Sequence, residues 1–192
     1  TTLTQTNANT DFTLLSNKPV YYAAGGSGSL SIVTTRDIIL SAGSSISATS
    51  GSVGVTLNAD SDASSSGAIV LNSGSSISSS GGNILLSGGS NPSTGYAFGR
   101  SSAGDNSNGI TLLNASLTSG AGNITLRGKG AVTGGTSSVG SQTTAYGIAI
   151  GLLDSTSTNA ILSSTSGNIT LTGYGLSSNA STKASGIVLG LG

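Results

Sequence analysis

The residues that carry most enzymic chemistry are missing from this chain: it has no His, no Cys and no Glu. Without imidazole or thiol, no Ser-His or Cys-His nucleophile can be assembled. A zinc ion would find no nitrogen or sulfur ligand. The nearest approach to a phosphate loop, Gly122-Asn-Ile-Thr-Leu-Arg-Gly-Lys129, has five residues between its glycines where four are needed. Gly130 then stands where Ser or Thr should hold magnesium. A lyase or glycosidase would need carboxylates or cations clustered on one strand face, and the six Asp are spread along the chain. Asp60-Ser-Asp62 offers calcium two carboxylates and no further ligands, so it reads as a solvated turn. No catalytic, cofactor-binding or metal-binding residue is assigned, no cofactor is expected, and the reading is a protein that is not an enzyme.

Recognition chemistry is better represented. The segments 58–66, 87–108, 127–146 and 172–185 hold seven of the twelve charges: Asp60, Asp62, Arg100, Asp105, Arg127, Lys129 and Lys183. They also hold Tyr96, Phe98, Tyr146 and Tyr174, four of the seven aromatics. Tyr and Arg are frequent interface anchors, and variable loops on a rigid stack are where repeat proteins place binding. Tyr96, Phe98, Arg100, Arg127, Lys129, Tyr146 and Tyr174 are therefore the candidate recognition-loop residues. The plainer alternative is that these loops are tolerated insertions. Four Asn-x-Ser/Thr triplets, at Asn114, Asn123, Asn168 and Asn179, are formal glycosylation acceptors. Asn123 and Asn168 begin strand-like phrases, which makes them poor acceptors, so Asn114 and Asn179 are the candidates. Asn83, Asn123 and Asn168 recur at one place in the repeat and read as a ladder or turn cap. An ice-binding face would need T-x-T on successive coils, and Thr111, Thr125 and Thr170 sit singly in the strand phrases that recur.

The elements that must position these groups are short. Hydrophobic residues make up 35% of the chain and arrive in evenly placed pairs, among 31 Gly and many Ser, Thr and Asn. Disordered chains are typically rich in Pro and charge, whereas this one has two Pro and 6% charged residues. The stretch 67–89 contains three apolar pieces, around Ile69, Ile77 and Ile84, and similar triplets occur before and after it. From the second set to the fifth, the first-to-second spacing is 8, 8, 7 and 13 residues, and the second-to-third is 9, 7, 7 and 8. The return to the next first piece takes 14, 26, 24 and 18 residues, so one corner absorbs most of the length variation. Each I-x-L phrase points both apolar side chains to one face of a strand. Stacking coil on coil at about 4.8 Å would bury that face. Period 3.6 is missing, and Gly and β-branched residues crowd every window, which excludes helices. The fold expected is all-β: a right-handed parallel β-helix (β-solenoid) of about six three-sided coils with long loops at one corner. Residues 1–11 are expected to be a lead-in or the edge of a preceding coil, and 12–192 the solenoid repeats. Thr1 and the shortened last phrase at 185–192 suggest an excerpt of a longer repetitive chain.

The phrases Gly82-Asn-Ile-Leu-Leu86, Gly122-Asn-Ile-Thr-Leu126, Gly167-Asn-Ile-Thr-Leu171 and Gly74-Ser-Ser-Ile-Ser78 resemble the repeats of filamentous-haemagglutinin-like exoproteins. These are large bacterial surface adhesins exported by two-partner secretion, and the resemblance covers about residues 25–192. It implies a right-handed β-helix, export through a dedicated outer-membrane pore, and a surface or released adhesin or matrix role.

Zero net charge offers nothing to attract nucleic acid or an anionic membrane. No apolar run approaches the roughly 20 residues of a membrane span. The absence of Cys rules out disulfides and suits a chain that is threaded through a pore unfolded. The expected role is a structural solenoid segment of a secreted bacterial surface protein, an adhesin shaft or extracellular filament, located outside the cell or on its surface. Two alternatives stand beside it. One is a filament subunit stacking end to end on itself through open sheet edges. The other is a module binding host or neighbour-cell glycans or proteins through the long-corner loops.

Overall fold

The computed structural model describes residues 1–101, 107–131, 145–151, 160–176 and 185–190. The chain winds through three parallel sheets in fixed rotation. The first sheet holds β2 (Phe12–Leu14), β5 (Ile38–Leu40), β8 (Ile69–Leu71), β12 (Ile110–Leu112), β15 (Ile148–Ile150) and β18 (Ile187–Leu189). The second holds β3 (Pro19–Tyr22), β6 (Ser45–Ala48), β9 (Ser76–Ser78), β13 (Ser116–Gly120) and β16 (Ile161–Ser164). The third holds β1 (Thr2–Gln5), β4 (Ser27–Thr34), β7 (Ser52–Ala59), β10 (Ile84–Gly88), β14 (Ile124–Lys129) and β17 (Ile169–Tyr174), with the two-residue β11 (Ala97–Phe98) beside β14. This is a parallel β-solenoid.

Register is what makes it a core. On the first sheet Phe12, Ile38, Ile69, Ile110, Ile148 and Ile187 stand in one column. On the second, Val20, Ile46, Ile77, Leu117 and Leu162 do the same. On the third, Leu30, Val55, Ile84, Ile124 and Ile169 form one column, and Ile32, Leu57, Leu86, Leu126 and Leu171 another. Like side chains two coils deep leave no water between them: Ile69, Leu71, Ile77, Ile110 and Leu112 are fully buried. A slip of one residue would turn every column outward, so register is strongly specified. On the last described coil Ile161, Ile169, Ile187 and Leu189 are exposed.

Corners close with side chains that serve the next coil. Asn83 Oδ1 accepts from the Asn123 amide at 2.8 Å, and Asn123 Oδ1 from the Asn168 amide at 2.7 Å. The repeated Asn is thus a ladder. At the opposite corner Asp11 Oδ1 accepts from the Asp37 amide (3.1 Å), Asp37 Oδ1 from Ala68 (2.8 Å), and Asn108 Oδ1 from Tyr146 (2.9 Å). These bonds satisfy backbone donors that the corner takes out of the strand ladders. Gly82, Gly122 and Gly167 form a column where backbones touch: a Cβ on Gly122 would lie 2.1 Å from the Gly82 carbonyl oxygen.

The coil that begins with β8 is interrupted. After β10 the chain leaves at Gly89, turns on Asn91, and returns at β11, where Ala97 and Phe98 pair with Gly128 and Lys129. The turn is tight: Asn91 O accepts from the Gly95 amide at 2.7 Å, and Asn91 Oδ1 from the Ser93 amide at 3.0 Å. Asn followed by Pro92 is the composition such a turn requires.

Candidate recognition face

Four residues expected in loops stand on strands. Phe98 lies in β11, Arg127 and Lys129 in β14, and Tyr174 in β17. Strand β14 continues past its apolar pair because Gly128 takes the inward position, which leaves Arg127 and Lys129 on the outer face beside Thr125. The paired strand does likewise, placing Gly173 opposite Gly128, Thr172 opposite Arg127 and Tyr174 opposite Lys129. Tyr96 is in the 89–96 excursion, as a loop residue.

These groups form one shelf on the outside of the third sheet. The Tyr96 and Tyr174 rings meet edge to face, with centroids 5.2 Å apart and an interplanar angle of 83°. Aromatic pairs favour this geometry. The Arg127 guanidinium lies 4.5 Å from the Tyr96 ring centre and donates to Tyr96 Oη (2.9 Å), Gly95 O (3.0 Å) and Thr94 O (2.8 Å). It pins the excursion to the sheet, so it is a structural clamp rather than the free anchor expected. Desolvation raises the Tyr96 phenol's pKa, and its hydrogen bond with Tyr174 adds to the rise, which Arg127 opposes. The Lys129 ammonium sits 5.0 Å over the Phe98 ring. Among the described residues it has no carboxylate partner.

Two open depressions flank this ridge. One, of about 360 Å³, lies between the excursion and the 60–66 turn, and Asp60, Ser65, Asn91, Tyr96, Phe98 and Lys129 are among its walls. The other, of about 370 Å³, is lined by Tyr96, Lys129, Tyr174, Gly175 and Leu176. Tyr96 and Lys129 belong to both. In the 60–66 turn Asp60, Ala63 and Ser65 have φ of 49°, 56° and 66°, in the left-handed region that costs non-glycine residues energy. The Asp60 carboxylate holds the turn, accepting from Ser64 Oγ (3.0 Å), Ser65 N (3.2 Å) and Ser66 N (3.1 Å). Burial pushes its pKa up, against the lowering by those three donors, and Asp62 adds to the rise. With its oxygens committed in this way, Asp60 is a turn-former, but a buried one and not the solvated turn that Asp60-Ser-Asp62 suggests.

Two other candidates lie elsewhere. Tyr146 is buried, 6% exposed, in a small second cluster with Leu113, Ala149 and Val188 on the outside of the first sheet. Packed among these side chains, Tyr146 is a core residue and not an exposed recognition group. Arg100 donates from Nε to Asp37 Oδ2 at 2.9 Å, and its Nη2 lies 2.8 Å from the same oxygen. Asp37 is fully buried, so Arg100 neutralises an interior carboxylate instead of facing a partner. Asp37 escaped notice in the sequence because nothing local marks a residue paired 63 positions away. Asn114, in the left-handed region with φ 48°, donates from Nδ2 to Ser73 Oγ at 2.9 Å. Asn179, Lys183 and Asp105 lie outside the described residues.

No family model matches this chain, and neither the curated proteins nor the solved structures contain a match to it. Among the described residues no group of three or more His, Cys, Asp or Glu is placed to hold a metal ion. No helix among them is long and apolar enough to cross a membrane.

Proposed function

We propose that the chain is a structural solenoid segment of a secreted bacterial surface protein, serving as adhesin shaft or extracellular filament. The observation that supports this most is the set of in-register apolar columns, mostly Ile and Leu, running from coil to coil in three parallel sheets. Such a stack is stiff along its axis because each coil is bonded to both neighbours, and it can be lengthened by adding repeats. The polar, loop-decorated outside keeps the rod dispersed and gives it somewhere to carry binding groups.

The test is electron microscopy, with light scattering, of the protein isolated from its native surface. Unbranched rods whose length grows with the number of repeats are expected. Compact particles recovered from inside the cell would sink the proposal. The exposed Ile169, Ile187 and Leu189, which stand in the inward columns, favour one second reading, in which a further coil, from this chain or a copy, packs on that row. Fibres whose periodicity equals one 192-residue unit would mark the copy as the partner.

A further inference from the structure

We propose that the shelf formed by Tyr96, Lys129 and Tyr174 is a binding site for an acidic oligosaccharide, its anion on Lys129 and its sugar rings on either side. The inference goes beyond the shaft reading and stands without it.

The lining decides the ligand class. Tyr174 is 51% exposed, so its ring offers water an apolar surface that nothing among the described residues covers. Flat aromatic surface of this kind suits the C–H face of a pyranose. The wall of the first depression adds the hydroxyls of Ser65, Ser90 and Thr94 and the Asn91 amide, donors and acceptors for sugar hydroxyls. A purely apolar ligand would leave these groups dehydrated and unpaired.

The charge pattern narrows it. Arg127 is spent on Gly95, Thr94 and Tyr96, and Arg100 on Asp37. Lys129 therefore stands as the cation the shelf can offer. A single ammonium matches one anionic group on an otherwise neutral ligand, and it is too little for a nucleic acid, whose binding rests on many phosphate contacts. The ammonium lies over the Phe98 ring, which fixes it without neutralising it. The two depressions, about 360 and 370 Å³, meet at Tyr96 and Lys129. Each is at the lower end of small-ligand sites, so the shelf suits a chain of sugars that crosses the ridge more than a single ring.

The test is calorimetric titration of the 192-residue chain with three tetrasaccharides: a hexuronate, a sulfated one, and a neutral one. Binding of either acidic probe in preference to the neutral one is expected, and the two acidic arms say whether carboxylate or sulfate ester is the anion. Lys129→Gln should weaken that binding by on the order of tenfold or more, as loss of a charged hydrogen bond does. Lys129→Arg should keep most of it, and Tyr174→Ala should weaken it without changing the circular dichroism spectrum. Tyr21→Ala, an exposed tyrosine on the second sheet, should leave binding intact. Equal binding of all three probes, no binding of any, or full binding by Lys129→Gln would overturn the proposal.

Discussion

At the scale of single residues, the side chains with most structural consequence are those that hand a hydrogen bond to the next coil. Asn123 accepts nothing within its own coil that is described; its oxygen serves the Asn168 amide. Asn123→Ala should therefore cost about 1 kcal/mol, read as a lower urea midpoint with an unchanged slope. The two ion pairs should differ. Arg36 and Asp11 are both partly exposed, at 29% and 24%, whereas Arg100 is 30% exposed and its partner Asp37 not at all. Arg36→Ala should fall near the ~0–1 kcal/mol of a surface pair. Arg100→Ala takes the closest cation from a buried carboxylate that keeps its Ala68 amide donor and should cost more, short of the ~3–5 kcal/mol for breaking a fully buried pair. Burial pushes the Asp11 carboxyl up, but the Arg36 guanidinium, the Asp37 amide and the Arg36 and Arg100 charges bring it below 3.8. Its stabilisation is therefore complete above 3.8 and is lost as pH falls through the lowered folded value. Asp60, raised above 3.8, behaves oppositely: its contribution is complete below 3.8 and declines as pH rises through the raised value. In paired melts across the acid range, Asp11→Asn should lose its disadvantage as pH drops, while Asp60→Asn should gain on the parent as pH rises.

At the scale of the element, each strand is legible where its inward positions carry methyl groups and illegible where they do not. Ile124 and Leu126 announce β14, but Gly128 continues the same inward face with nothing to see. The sequence therefore suggests a loop at Arg127 and Lys129 where the strand runs on. The columns themselves were readable because Ile and Leu alternate with polar residues at nearly constant spacing between corners. The burial of Tyr146 is not readable, since it packs on Leu113 and Val188 of neighbouring coils, which lie far from it in sequence. Two substitutions separate the kinds of packing. Ile77→Ala empties a fully buried place and should cost about 2–5 kcal/mol by chemical denaturation. Gly122→Ala adds only one carbon, yet that carbon would press on the Gly82 carbonyl. It should destabilise by more than the ~1 kcal/mol that such a change gains where the backbone accepts it.

At the scale of the whole molecule, stability is shared between neighbours along one axis, so it should be uneven. Amides of β8, β9, β12 and β13 have coils on both sides and fully buried columns within. In the 192-residue chain they should exchange more slowly with deuterium than those of β1 or β18, measured peptide by peptide. The shelf was only half legible in the sequence. Composition singled out Tyr96, Phe98, Lys129 and Tyr174, but their meeting depends on an excursion that departs after Gly88 and rejoins at Ala97 with pairing intact. That detour means the rod measures itself in rungs rather than in residues. A segment of any length spliced between Ser90 and Asn91 would lengthen the chain and leave the rod as long as before. Copies of the same insert on successive coils would then stand like marks on a ruler, about 4.8 Å apart.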